Sequence, residues 1–174
     1  MTSSVTAAVA QYLHDMCTGA IGAFIYGSVA TGRAGPDSDI DCFVLLVESG
    51  TADEMTRLRS GFAEVQRDLG YAPDPAFPVE LFTVRQCHEA LNSTSVRQAI
   101  QQALNGGRVD TKLAESDEVE ILRALLGTRL PVRTCPELDE LTNHARSVVA
   151  PCLNPPETSA EHTALQALGV RNDD

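Results

Sequence analysis

A chain of 174 residues with 43% hydrophobic residues is long enough to bury one self-sufficient core, with room for a small helical appendage. Its 24 acidic against 13 basic side chains leave a net charge of -11, which opposes tight binding to a nucleic acid polymer and suits a small or cationic acceptor. No apolar run exceeds Cys42 to Val47, far short of the ~20 residues that span a bilayer, and MTSSVTAAVA lacks the basic start and long apolar stretch of an export signal, so the expectation is a cytoplasmic protein without a membrane partner.

From Ser4 to Cys17, Val5, Val9, Leu13 and Met16 recur at helical spacing and Gly19 follows as a stop, which predicts an amphipathic first helix. IGAFIYG then reads as a short buried strand closed by Gly27, and IDCFVLLV, from Ile40 to Val47, as a second. Thr51 and Glu54 have the spacing of a capping box, after which Met55, Leu58, Phe62, Val65 and Leu69 hold one helical face until Gly70. FPVELFTV predicts a third strand, its proline near the start where a missing donor is tolerated. Residues Arg85 to Leu104 predict one helix or two, broken near Asn92-Ser93-Thr94, and Gly106-Gly107 ends that region. RVDTKL is expected to form a short further strand, and Asp117 to Leu126 and Pro136 to Val149 amphipathic helices. From Pro151 onward only a turn of helix near Ala164 to Leu168 is expected. This order of elements describes an α/β (α+β) domain with a small mixed sheet flanked by helices.

The cysteines (Cys17, Cys42, Cys87, Cys135, Cys152) are scattered, odd in number and without a C-x-x-C pair, so they read as reduced small hydrophobes. His14, His88, His144 and His162 show no metal-ligand spacing and read as surface or core residues. The informative stretch runs from Ile25 to Leu46. It sets Gly27-Ser28 at the end of one strand and Asp39-Ile40-Asp41 at the start of the next. In a strand, side chains alternate faces, so Asp39 and Asp41 project to one side, ~7 Å apart, and Ile40 to the other. Two carboxylates so placed can share a hard divalent cation, Mg²⁺ above all, together with phosphate oxygens. Gly27 would let the backbone approach a triphosphate closely, and the Ser28 hydroxyl and nearby amides can donate to its oxygens. Glu80 lies in the third strand, and pairing of that strand beside the second would complete a cluster of carboxylates.

These residues resemble the DNA polymerase beta-like nucleotidyltransferase superfamily, in particular the minimal nucleotidyltransferases and the antibiotic adenylyltransferases. The family motif is an apolar strand, Gly-Ser or Gly-Gly, about ten residues, then D-x-D in a second strand and a third carboxylate on a later one. Here Tyr26-Gly27-Ser28, ten intervening residues and Ser38-Asp39-Ile40-Asp41 fit in order, and Val79-Glu80-Leu81 fits the third position. The resemblance covers roughly residues 5 to 112. It implies that Asp39, Asp41 and Glu80 are catalytic and hold metal, as two Mg²⁺ ions, and that Gly27, Ser28, Arg33 and Ser38 bind ATP or another nucleoside triphosphate. Many minimal members have a basic residue where this chain has Thr31, which leaves Arg33 as the substitute for phosphate contact. The implied organisation is a nucleotidyltransferase core over 1–112, a helical region over 113–150 packed on it, and a weakly ordered tail over 151–174.

The implied reaction moves a nucleoside monophosphate, AMP from ATP, to a hydroxyl of a small-molecule acceptor such as an antibiotic or biosynthetic intermediate. A second reading is a minimal nucleotidyltransferase antitoxin that AMPylates a helical protein partner. A third is a catalytically inactive nucleotide-binding module, against which the intact carboxylate trio argues. An acceptor site shared within a homodimer suits so short a chain.

Overall fold

The computed structural model describes residues 2–150 and 166–169. Its elements are α1 (Thr2–Met16), β1 (Ala20–Ile25), α2 (Gly27–Ala30), β2 (Cys42–Leu46), α3 (Ala52–Asp68), β3 (Glu80–Thr83), α4 (Val84–Leu91), α5 (Thr94–Gly106), α6 (Thr111–Ala114), α7 (Asp117–Leu126), β4 (Leu130–Arg133) and α8 (Pro136–Val149). The expected tail from 151 falls outside the described residues, save that Gln166 and Ala167 are helical and Leu168-Gly169 form a turn. Among the described residues no helix is long and apolar enough to cross a membrane.

Local chemistry explains the helix boundaries. Thr51 Oγ1 accepts from the Glu54 amide at 3.3 Å while Glu54 Oε2 accepts from the Thr51 amide at 2.7 Å, so the expected capping box starts α3. These bonds from Thr51 hold the Glu54 carboxyl below its usual range. Ser93 Oγ accepts from the Val96 amide at 3.2 Å and caps α5, which makes two helices of the region around Asn92. The strand expected at RVDTKL is not formed. Asp110 Oδ1 instead accepts from the Lys112 and Leu113 amides at 3.1 and 3.4 Å and starts α6 there. A short side chain that captures two nearby amides competes successfully with a ladder.

By packing, the chain forms two compact units, Met1–Val84 with Arg129–Leu138 and Arg85–Thr128 with Asp139–Asp174. The first holds the sheet, in the order β3-β2-β1-β4. β1 runs antiparallel to β2 and β4, and β2 runs parallel to β3. A parallel pair needs a crossover, and α3 supplies it. One sheet face, bearing Ala23, Ile25, Cys42, Val44 and Leu81, joins Val5, Val9, Leu13, Leu58 and Phe62 in a single apolar cluster with α1 and α3. Tyr12 meets Phe62 edge-on at 5.1 Å and donates its hydroxyl to the Leu58 carbonyl at 2.9 Å, so its polar tip is satisfied inside that cluster. The other face carries an aromatic row, Phe24 stacked on Phe43 at 4.9 Å and Phe43 against Phe82 at 5.6 Å.

In the second unit, α5 contributes Val96, Ala99, Ile100 and Ala103 to the interior, and α7 contributes Val119, Ile121, Leu122 and Leu125. His88 on α4 and His144 on α8 meet through their Nδ1 atoms at 2.9 Å, and His144 Nε2 lies 3.3 Å from Asn92 Oδ1. The two histidines are therefore half-buried partners. Burial, and then the neighbouring His88, push the His144 pKa down. Cys17, Cys42, Cys87 and Cys135 are free thiols, and Cys152 lies outside the described residues.

Candidate functional site

β1 ends against a sharp turn. Gly27 has φ of 64°, a left-handed conformation that glycine adopts without steric cost, and it opens the short α2. It also has no room for a side chain, since a Cβ there would fall 2.8 Å from Cγ of Asp41 and collide with its carboxylate oxygen. The Tyr26 amide donates to the Asp41 carbonyl at 3.0 Å, which carries the β1–β2 pairing one step beyond Ile25↔Cys42. The sequence put Asp39-Ile40-Asp41 inside the second strand. The regular strand in fact begins at Cys42 and leaves these three residues in the segment leading into it. Their alternation survives the shift, for Ile40 is buried in the α1/α3 cluster while Asp39 and Asp41 are half-buried.

Glu80 is the first residue of β3 and stands level with Phe43 of β2. Paired residues of parallel strands point to the same face, and so do residues two apart along a strand. Glu80 therefore shares the face of Phe43, and Asp41, two residues ahead of Phe43, lies on that face near its end. Among the described residues there is no group of three or more His, Cys, Asp or Glu side chains that could hold a metal ion. Asp39, Asp41 and Glu80 come to neighbouring segments at the end of the sheet where β2 and β3 begin, without forming such a group.

The other nominated residues divide by what their atoms already do. Ser28 is half-buried in α2, and its carbonyl accepts from the Arg33 amide at 2.8 Å and from Thr31 Oγ1 at 3.2 Å. The Arg33 side chain is exposed on the connecting loop. Ser38 Oγ accepts from the Gly35 amide at 2.8 Å while its own amide donates to the Gly35 carbonyl at 3.1 Å, so Ser38 closes the loop on itself just before Asp39.

Two residues near this end of the sheet escaped the sequence reading. Gln66 of α3 is wholly buried, with Oε1 accepting from the Ile40 amide at 2.6 Å and Nε2 donating to the Pro78 carbonyl at 2.7 Å. Its signal was a polar residue one helical turn after Phe62, on the face that should be apolar. Arg129 places its guanidinium 5.3 Å from the centroid of Phe24, which brings a cation to the face that carries the carboxylates. It immediately precedes β4, a short strand containing Pro131 that gave no periodic signal.

Residues 10–94 match the family model described as a nucleotidyltransferase domain. Similar solved chains include one from a toxin-antitoxin with AMP-PNP, at 16% identity and a TM-score of 0.44, covering 83% of this chain and 84% of that chain. Another is from a mutant of the toxin-antitoxin MntA-HpeT, at 14% identity and a TM-score of 0.42, with 83% and 84% covered. Comparison with curated proteins gives no match. The span matched to the nucleotidyltransferase-domain model, just under half of the chain, takes in Gly27, Ser28, Asp39, Asp41, Gln66 and Glu80.

Proposed function

We propose that this enzyme moves AMP from ATP to a hydroxyl of a small-molecule acceptor, using Asp39, Asp41 and Glu80 beside the Gly27-Ser28 bend. The observation that carries the reading is the contact of Gly27, at φ of 64°, with the Asp41 carboxylate. A bend without a side chain lets a triphosphate lie along the backbone and meet the carboxylate edge at the same point. Ser28 donates its hydroxyl to the phosphate oxygens, and the exposed Arg33 adds a cation to the outer end of the triphosphate.

Hard carboxylate oxygens supplemented by phosphate oxygens are the donor set that Mg²⁺ prefers, and Asp39 and Asp41 would hold it with Glu80 beside them. Two bound Mg²⁺ ions would neutralise charge on the transferring and departing phosphates. Glu80 takes the proton of the acceptor hydroxyl as the new bond from its oxygen to the α-phosphorus forms. The bond from that phosphorus to the α,β-bridging oxygen breaks, and pyrophosphate leaves with the electron pair. Positioning and charge neutralisation supply most of the rate in such transfers. The net charge of -11 supports an acceptor that is not a polyanion.

The test is incubation with Mg²⁺, each of the four nucleoside triphosphates labelled at the α-phosphate, and a panel of hydroxylated small molecules. The expected result is pyrophosphate release with label on a small acceptor, ATP being preferred. Label appearing on a co-purifying protein would move the acceptor to the AMPylation reading. Nucleotide binding with no transfer to any acceptor would favour the inactive module.

A further inference from the structure

A polar side chain shut away from water must find its hydrogen bonds inside the protein. Gln66 is such a side chain, at 0% exposure, and its two bonds run to two different segments, the Ile40 amide and the Pro78 carbonyl. The orientation of its amide is forced, because a backbone N–H only donates and a proline backbone offers only its carbonyl. Ile40 stands between Asp39 and Asp41, and Pro78 is two residues ahead of Glu80. β2 and β3 are parallel, so no hairpin sets their offset, and their ladder begins only at Phe43↔Glu80. The Gln66 amide bridges the two segments just ahead of that first rung. The chain leaving α3 adds a second tie, from the Ala72 amide to the Ser38 carbonyl at 2.9 Å.

We propose that Gln66 is a positioning residue for nucleotidyl transfer, a clamp that fixes the Asp39–Asp41 segment relative to Glu80 so that the carboxylates meet metal and nucleotide together. This inference rests on the function proposed above. A residue needed only to fill space would be apolar, as Leu58 and Phe62 are on the same face of α3. A buried amide has a desolvation cost that only its two bonds offset.

The test compares binding of the Mn²⁺–ATP complex by isothermal titration calorimetry in the full chain and in Gln66→Met, Gln66→Glu and Asp41→Asn. Gln66→Met keeps the length of the side chain and loses both bonds. It should bind about 10–100-fold more weakly, as loss of a group that orients metal ligands does, while its circular dichroism stays native. Gln66→Glu can accept from Ile40 at any pH but can donate to Pro78 only when protonated. Its binding relative to the unaltered protein at the same pH should therefore recover as pH falls, a response that separates the clamp from mere packing even if Gln66→Met folds poorly. Wild-type affinity in Gln66→Met, or a pH-independent deficit in Gln66→Glu, overturns the clamp. Asp41→Asn keeps the two inferences apart: loss of binding there with none in Gln66→Met sinks the clamp alone, whereas undiminished binding in Asp41→Asn sinks the carboxylate site and the clamp with it.

Discussion

On one face of the sheet Ile25, Cys42, Val44 and Leu81 lie against α1 and α3, while their chain neighbours Phe24, Phe43 and Phe82 line the other face. The first face is apolar except for the buried Thr83 at the far end of β3. The second passes from the Phe43 ring to the Asp41 carboxylate within two residues and meets Glu80 one strand away. A period of two thus lets a single strand serve both demands, stability through one set of side chains and charge through the other. Carboxylates placed against an aromatic row cost stability unless water or a cation reaches them.

Substitutions that act on one face and spare the other would sharpen this division. Phe62→Ala, beneath the apolar face at 0% exposure, should lower unfolding free energy by about 3–5 kcal/mol, read by urea denaturation, and leave the turnover of the folded fraction unchanged. Asp41→Asn should do the reverse. Nucleotidyl transfer, followed as pyrophosphate release, is expected to fall about 10²–10³-fold with little change in the denaturation midpoint. A large stability loss in Asp41→Asn, or a per-molecule rate loss in Phe62→Ala, would mean that the faces are not independent.

Gly27→Ala tests the point where the turn meets the charged face. The new methyl would enter the space of the Asp41 carboxylate and hold a non-glycine residue at φ of 64°. Left-handed strain costs of order 1–3 kcal/mol, so both the midpoint and pyrophosphate release should drop. Activity without a stability penalty would show that the turn relaxes freely and that the contact with Asp41 is not needed.

What the sequence disclosed and what it hid follow the range of the interactions. The capping box of α3, the start of α8 at Pro136 and the alternation about Ile40 are local, set by residues within one helical turn or one pleat, and all were legible. RVDTKL was misread because Asp110 uses its side chain on the backbone, a choice that hydrophobic periodicity does not report. β4 was missed because four residues, one of them Pro131 and none fully buried, carry no alternation and exist only through pairing with β1. Gln66 was visible as an exception in an apolar register. Its partners, 26 and 12 residues away in sequence, were not. The pairing of Phe43 with Glu80 is likewise a tertiary fact, so the sequence could nominate the third carboxylate without fixing where it stands.

The smallest expected effect comes from charge that belongs to neither face. Glu54 sits in the capping box of α3 with its carboxyl held below the usual range by Thr51. A group whose folded pKa is depressed contributes stability that is present above its unfolded value, near 4.5, and lost as pH falls through the folded value. Glu54→Gln keeps a side-chain acceptor for the Thr51 amide and discards the charge. Thermal melts should therefore show the unaltered protein ahead of Glu54→Gln at neutral pH, with the gap closing once pH drops below that window. Pyrophosphate release at neutral pH should be the same in both, because this carboxylate caps a helix and has no part in the charged face. A fall in turnover in Glu54→Gln would show that removing acidic charge anywhere on the unit impairs transfer, and the contrast between the two faces would lose its chemical meaning.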